Sequence, residues 1–484
     1  MKKKNILYNV LVFISFAVIA YIIPKLFFQN DTFYSIKIGE SITKYGVDMI
    51  DHFSFIANLS YTYPHWLFDL IIYGIYNLFG NFGIYIFVLL LYFLLLYLMY
   101  YISSKYTNNK YISFLMTFVV GLTLRDFIAA RAQLSTYILL LIVLYFINKL
   151  RESENKKYLI GLFITSLLVA NMHLAIWPFI FVLFLPYLVS DLIYLISNKL
   201  HYDFNKHFLL TIEKSKLKIT SMGIASCFVT GFMTPNFLVP FTYLIKTQKG
   251  ISLKNISEHL PITINDNAIV FSLVFIVIVL LMSHNTKKNL SDFFLLAGLF
   301  LMGFLARRNY ALLVILGIIP ISRIMGGFKF KYLEPVFKNA IFCSAFMLIV
   351  LVAFVMTFKN RTTYSFIDES YYPKGACDYI LENVDLDKAR IFNEYNYGSY
   401  IMLRGIPVFV DSRADLYLEE FNKDIHIFED FIHIDDNYYS VFEAYDITHV
   451  LLSRGHKVNK YLENDSRFKV IYSDLSFTLY EIVV

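Results

Sequence analysis

Apolar runs long enough to cross a bilayer recur down this chain, and nothing constrains its fold more. A helix needs about 17 to 25 mostly apolar residues to span roughly 30 Å of hydrocarbon. The clear stretches are Ile6–Pro24, Phe82–Ile102, Gln133–Leu150, Leu174–Ser197, Ala268–His284, Asn309–Arg323 and Lys338–Phe358. Shorter ones are Trp66–Phe79, Tyr111–Leu124, Tyr158–Ala170, Thr220–Met233 and Ser291–Ala306. Any one of them alone reads equally well as a buried core helix, but no soluble core buries a dozen all-apolar helices in series. At 57% hydrophobic and 17% charged residues, with a mean hydropathy of +0.56, the composition agrees. The expected fold is a polytopic α-helical membrane protein of about 11–12 transmembrane helices over residues 1–360, with a soluble α/β domain over 361–484.

Charge divides at the same place. From Arg361 onward there are 12 Lys and Arg against 22 Asp and Glu, which leaves 31 basic and 15 acidic residues before it. A basic membrane part thus precedes an acidic tail, and the overall +6 conceals both. The basic residues lie in short interhelical loops rather than on one face, so no nucleic-acid partner is implied. Lys2, Lys3 and Lys4, with the segments 103–110, 149–157, 198–218, 284–290 and 323–338, hold 20 of the 31. The positive-inside rule puts these segments in the cytoplasm and the tail outside. Twelve crossings would return the tail to the cytoplasm, so Trp66–Ile102 is read as one crossing plus a partial or lateral helix. Lys2–Pro24 has the form of a signal anchor without a small-residue cleavage site and is expected to stay. Cys227, Cys343 and Cys377 imply no disulfide framework and no metal cluster.

In the tail, Ala389–Glu394, Pro407–Asp411, Thr448–Ser453, Phe468–Tyr472 and Phe477–Val483 have the pattern of strands. Tyr397–Leu403, Asp415–Ile432 and Val458–Glu463 have helical spacing.

This orientation collects one set of polar residues on the outer face: Asp31, Lys37, Arg125, Asp126, Arg131, Asn171, His173, Asn236, Glu258, His259, Arg307 and Arg308. Ionisable groups at helix ends in a membrane protein face a cavity or a partner, or else snorkel to the interface. The adjacent guanidiniums of Arg307 and Arg308 suit a phosphate, which accepts bidentate hydrogen bonds. The first loop, 25–65, opens with Asp31 as the expected N-cap of an amphipathic helix whose apolar side carries Phe33, Ile36 and Ile42. Asp31 reads equally as a cap and as a functional carboxylate. Asp411, Arg413 and Asp415 follow Pro407–Val410 at the C-terminal end of an expected strand, where open α/β sheets place ligand contacts. An Asp–Arg pair that merely fixes the turn is the other reading.

The order of first membrane helix, outer-loop aspartate, interfacial helix and then Asp51-His52-Phe53-Ser54 resembles the C-type glycosyltransferase superfamily (GT-C). Protein-mannosyltransferase-like proteins and bacterial membrane proteins of that architecture are the nearest in pattern. His65-Trp66-Leu67 with Leu78-Phe79-Gly80, Arg131-Ala132-Gln133, Asn171-Met172-His173, Thr234-Pro235-Asn236, Glu258-His259, Ala306-Arg307-Arg308-Asn309 and Val410-Asp411-Ser412-Arg413-Ala414-Asp415 resemble it too. The resemblance implies an inverting transfer of a sugar from a polyprenyl-phosphate carrier to a glycan, lipid or protein acceptor on the outer face, in contact with membrane lipid. It gives Asp31 the role of general base or acceptor-orienting carboxylate. Arg307, Arg308, Arg131 and Arg125 would bind the donor phosphate. Lys37, His65, His173, Asn236 and Glu258 would bind substrate, and Asp411, Arg413 and Asp415 would recognise the acceptor. Many members carry adjacent acidic residues where this chain has Asn30-Asp31. That departure tells against a metal-dependent version of the chemistry, although a divalent metal is kept as an open cofactor assignment, and a second carboxylate, if one is needed, falls to Asp51 or Asp48. Two further readings are a flippase of lipid-linked saccharides and a non-catalytic assembly protein. A flippase would want polar residues or broken helices at mid-membrane, whereas the polar groups here gather at helix ends.

Overall fold

The computed structural model describes residues 2–207, 210–247, 257–263, 268–283, 288–361 and 365–483. All the expected apolar segments are helical within those bounds; His284 and the adjoining 285–287 lie outside them. The first seven helices that matter here are α1 (Lys2–Ile22), α2 (Asn30–Tyr45), α3 (Trp66–Thr107), α4 (Lys110–Thr123), α5 (Ala132–Ser153), α6 (Lys157–Met172) and α7 (Phe179–Lys199). Later helices include Leu217–Thr230, Ala268–Met282, Leu290–Leu305, Tyr310–Leu316, Ile318–Gly326 and Ala340–Asn360. Among the described residues, Trp66–Thr107, Ala132–Ser153, Leu174–Lys199, Arg307–Gly326 and Ala340–Asn360 are long and apolar enough to cross a membrane.

A straight helix of the length of α3 would run roughly 63 Å, twice the hydrocarbon thickness. It is not straight: Gly80, at φ 62° and ψ −157°, breaks the helical path, a conformation that glycine adopts without a Cβ penalty. The stretch expected to be one crossing plus a lateral helix is thus two helical segments that meet at a kink at Gly80. α2 lies across its first turns. A Cβ on Gly39 would sit 2.2 Å from the Asp69 carbonyl oxygen and 2.4 Å from the Tyr73 Cβ, so only glycine permits this crossing.

The two ends of α5 mark two polar layers about 30 Å apart. At its C-terminal end, Arg151 grips Asp191 of α7 through two bonds of 2.7 and 3.0 Å, and Arg323 binds Asp292 at 2.6 Å and Asn148 at 2.6 Å. Arg131 immediately precedes its N-terminal end.

In the tail, β1 (Ile391–Asn393), β2 (His449–Ser453), β3 (Phe468–Ser473) and β4 (Phe477–Ile482) form one sheet in the order β1-β2-β4-β3. β1 and β2 are parallel with Phe392 beside Val450, and the other pairings are antiparallel. Pro407–Asp411, expected as a strand, is not one. Buried Asn393 takes the place of a ladder there: its side chain accepts from the Phe409 N–H at 2.9 Å and donates to the Val410 carbonyl at 2.7 Å. The expected helix Asp415–Ile432 is a short turn, Ala414–Tyr417, followed by a helix only at Ile427–Ile432.

The tail packs directly on the first loop. The Phe28 N–H bonds the Phe366 carbonyl at 2.9 Å, and Val408 N–H bonds the Phe53 carbonyl at 3.1 Å. Asn422 both accepts from Ser60 N–H at 2.8 Å and donates to its carbonyl at 3.0 Å. At the centre, Arg413 donates to Asp51 at 2.5 Å and to Asp411 at 2.7 Å, while Tyr417 donates to Asp411 at 2.6 Å. The rings of Phe53 and Tyr61 flank the guanidinium at 5.5 and 5.0 Å. Arg361, at the end of Ala340–Asn360, donates to the carbonyls of Tyr21, Ile22 and Pro24 and so caps the end of α1.

Arg413→Ala would strand two fully buried carboxylates. Removing one partner of a buried ion pair costs about 3–5 kcal/mol. Thermal unfolding of the purified variant should show that loss, with Arg413→Lys intermediate because it keeps the charge but not the planar fork. A melting curve matching the parent would mean that the junction does not depend on this bridge.

Candidate active site

Asp31 is the second residue of α2 rather than its cap; Gln29, extended at φ −86° and ψ 160°, stands at the cap and makes no side-chain bond to the helix N–H groups. The Asp31 carboxylate instead reaches Arg131, at 2.7 Å from Nη2. The extended backbone of Arg131, at φ −130° and ψ 154°, carries the chain into α5 and leaves its side chain at the loop end of the bundle. Nη1 of Arg131 also donates to Glu258 at 2.9 Å, and Gln29 Oε1 lies at 3.4 Å. One guanidinium is therefore held between two carboxylates from segments far apart in sequence. Burial works against its charge, but Asp31 and Glu258 together hold its pKa above the ordinary arginine range. Burial likewise pushes the Glu258 carboxyl up, yet Arg131 outweighs it and the carboxyl sits below its usual range.

Arg308 continues the cluster. Its Nη1 lies 3.1 Å from His259 Nε2, and burial together with the Arg308 charge pushes His259 down to about 4, so the ring is a neutral acceptor. Beneath, His65 and His173 meet edge to face with centroids 4.7 Å apart. The Tyr34 hydroxyl, one turn along α2 from Asp31, bonds His65 Nδ1 at 2.8 Å, and the Thr136 hydroxyl bonds His173 Nδ1 at 2.9 Å. Burial, reinforced by Arg131, pushes His65 down to about 3; burial, His65, Arg308 and Arg131 lower His173 as well. Both imidazoles are neutral and serve as polar lining rather than charge.

Asp31, His65, Arg131, His173, Glu258 and Arg308 thus come together from six segments. Arg307 adjoins them on the same turn and donates Nε to the Pro261 carbonyl at 3.4 Å. Arg125 is exposed and lines a small cavity with Lys25, Phe28, Gln29 and Tyr85, while Asp126 pairs with Lys25 at 3.0 Å. Asn236 donates to the Thr62 carbonyl at 2.7 Å. Lys37 points along α2 to Glu40 at 2.9 Å.

The other carboxylates stand apart. Asp48 accepts from His52 at 2.7 Å and Tyr63 at 2.9 Å; these bonds outweigh burial and hold it below the carboxylate range. Asp51, Asp411 and Arg413 are occupied with one another in the tail junction. Asp415 accepts from the Tyr243 hydroxyl at 2.8 Å, and burial raises its pKa.

Sequence reasoning passed over Asp69, which is fully buried in the first turn of α3 with no hydrogen-bond partner on either oxygen. The signal was present, since an acidic residue inside an apolar helix is a site candidate by itself. Tyr34, Thr136 and Gln29 carried no such signal. Among the described residues, no group of three or more His, Cys, Asp and Glu side chains is arranged to hold a metal ion.

No family model and no curated protein matches the chain. Among solved structures it is similar to the apo form of the Archaeoglobus fulgidus oligosaccharyltransferase, with a TM-score of 0.48 and 14% identity over 94% of this chain and 70% of that one. At that level no residue role passes from one chain to the other.

His65 binds its proton less readily in the folded chain, at about 3, than at its ordinary 6.5. The unfolded chain holds more protons between those values, so stability is intact above 6.5 and declines as pH falls toward 3. The melting temperature should therefore drop on acidification, and His65→Gln should shrink the drop. An equal drop in parent and variant would clear His65 of any part in it.

Proposed function

We propose that this chain is a membrane glycosyltransferase that moves a sugar from a polyprenyl-phosphate carrier to an acceptor on the outer face of the cell membrane. The observation that carries the reading is the Asp31–Arg131–Glu258 cluster with Arg308 beside it, gathered where helix ends meet the tail. It sets two carboxylates and two guanidiniums side by side at a junction of helix ends.

The chemistry follows from those groups. Arg131 and Arg308, with Arg307 adjoining, hold the donor phosphate, and the phosphate competes with Asp31 for Arg131. Released from that pair, Asp31 takes the proton of the acceptor hydroxyl. The acceptor oxygen forms its bond to the anomeric carbon from the opposite face, and the bond from that carbon to the phosphate oxygen breaks. The electron pair leaves on the phosphate, where the guanidiniums stabilise the charge. The neutral His65 and His173 line the site without adding a competing cation.

Asp31→Asn keeps the size of the side chain and should leave folding intact while lowering turnover of a polyprenyl-phosphate sugar by about 10²–10⁴-fold, the usual contribution of a general base. Activity within a few-fold of the parent would remove Asp31 from the chemistry and favour the assembly-protein reading. Arg308→Ala should weaken donor binding by about ten-fold, since a hydrogen bond to a charged group contributes roughly 1.5–3 kcal/mol. Unchanged donor affinity would leave the phosphate elsewhere. Saccharide translocation by a protein inactive in transfer would instead support the flippase reading.

A further inference from the structure

The far end of α2 borders a cleft that the transfer chemistry does not use. Its volume is ≈ 240 Å³, and it lies between Lys37–Tyr45 with His52 and Phe53 on one side and Met402–Pro407 of the tail on the other. Small-molecule sites commonly measure about 300–1,000 Å³, so this one suits one or two sugar rings rather than a larger ligand. Along the helix axis Glu40 stands roughly 14 Å from Asp31 and Tyr45 roughly 21 Å.

The two walls differ in character. On the α2 side, the Glu40 carboxylate accepts from Lys37 at 2.9 Å and from Lys44 at 2.5 Å, so donors and acceptors alternate along the edge. Tyr45 is 60% exposed and is held flat by stacking on the His52 ring, at 4.5 Å between centroids and 20° between planes. His52 is fixed in turn by Asp48 at 2.7 Å. On the tail side the wall is the Gly405–Pro407 turn, with Gly405 at φ +82° and with Met402 and Ile406, each 1% exposed, packed behind it.

A supported, exposed aromatic face and a rim of paired acid and base, closed on the far side by the Gly405–Pro407 turn, match a pyranose, which has apolar C–H faces and a hydroxyl edge. We propose that this cleft between α2 and the 402–407 turn binds a saccharide chain, as the subsite that holds the acceptor while its reactive end reaches Asp31. The assignment rests on the transferase reading for its purpose, though not for its test. An inorganic anion drawn by Lys37 and Lys44 is the competing occupant, but Glu40 already takes up both ammonium groups.

The test uses the full-length protein in lipid nanodiscs and saturation-transfer NMR with cellotetraose, chitotetraose and a galacturonic-acid tetramer, alongside inorganic phosphate. At least one tetramer should receive saturation at its ring protons. Affinity should fall about ten-fold in both Tyr45→Ala and Glu40→Ala. Three results would overturn the assignment: no tetramer binding, binding indifferent to Tyr45→Ala, or binding of phosphate alone that disappears in Lys44→Ala. Full transfer activity in Asp31→Asn would sink the transferase reading while leaving a Tyr45-dependent saccharide signal standing, so the two failures are distinguishable.

Discussion

A guanidinium buried where the tail meets the first loop does most to give this protein a defined shape above its helices. Arg413 is enclosed by Asp411 of its own turn, Asp51 of the loop and the rings of Phe53 and Tyr61. A charge removed from water persists only when paired and fully hydrogen-bonded, so the geometry around it tolerates little slack. The loop 25–65 has only one regular helix, α2, and takes its remaining form from this bridge and from the paired bonds of Asn422 to Ser60. Asp31 is placed at one end of α2 and the cleft at the other because the tail holds the loop down.

The cluster around Arg131 follows the same rule with a different balance. Its two carboxylates and two guanidiniums cancel in number, while the histidines nearby are stripped of charge by burial. Electrostatic interactions strengthen as water is excluded, so a group that arrives with its own negative charge changes the cluster more than it would in solvent. That sensitivity sits at the loop end of α5. At the opposite end, the Arg151–Asp191 and Arg323–Asp292 pairs join neighbouring helices with their charges already matched. The same residue types thus fasten helices on one layer and form the candidate site on the other.

The helices were legible because crossing a bilayer demands long apolar runs, and Gly80 explains how the ambiguous Trp66–Ile102 stretch accommodates both parts of its reading. Asp31, Arg131, His173, Glu258 and Arg308 were nameable from one residue at a time, since polar groups at apolar helix ends stand out, and His65 came only through the family resemblance. Their proximity was not, and neither was the displacement of Asp31 from the cap position by Gln29. Pro407–Asp411 has the composition of a strand, but composition does not say that the Asn393 side chain will replace a neighbouring strand's hydrogen bonds. Nor does a short Asp–x–Arg turn announce that its arginine reaches Asp51. That information lies in a contact between distant parts of the chain, which local pattern does not encode.

Asp51 and Arg413 are 362 residues apart, as are Ser60 and Asn422. During synthesis from the N-terminus, the loop emerges early and its partners only at the end. Until then Asp51 has no guanidinium and Asn422 does not exist, so the loop lacks the contacts that hold it in the finished structure. Contacts this remote are slow to form because the intervening chain must be ordered first. Arg361 makes a third remote contact, where the end of Ala340–Asn360 meets the end of α1. A chain cut short before Arg413 therefore lacks both the guanidinium and the amide that hold the loop carrying Asp31.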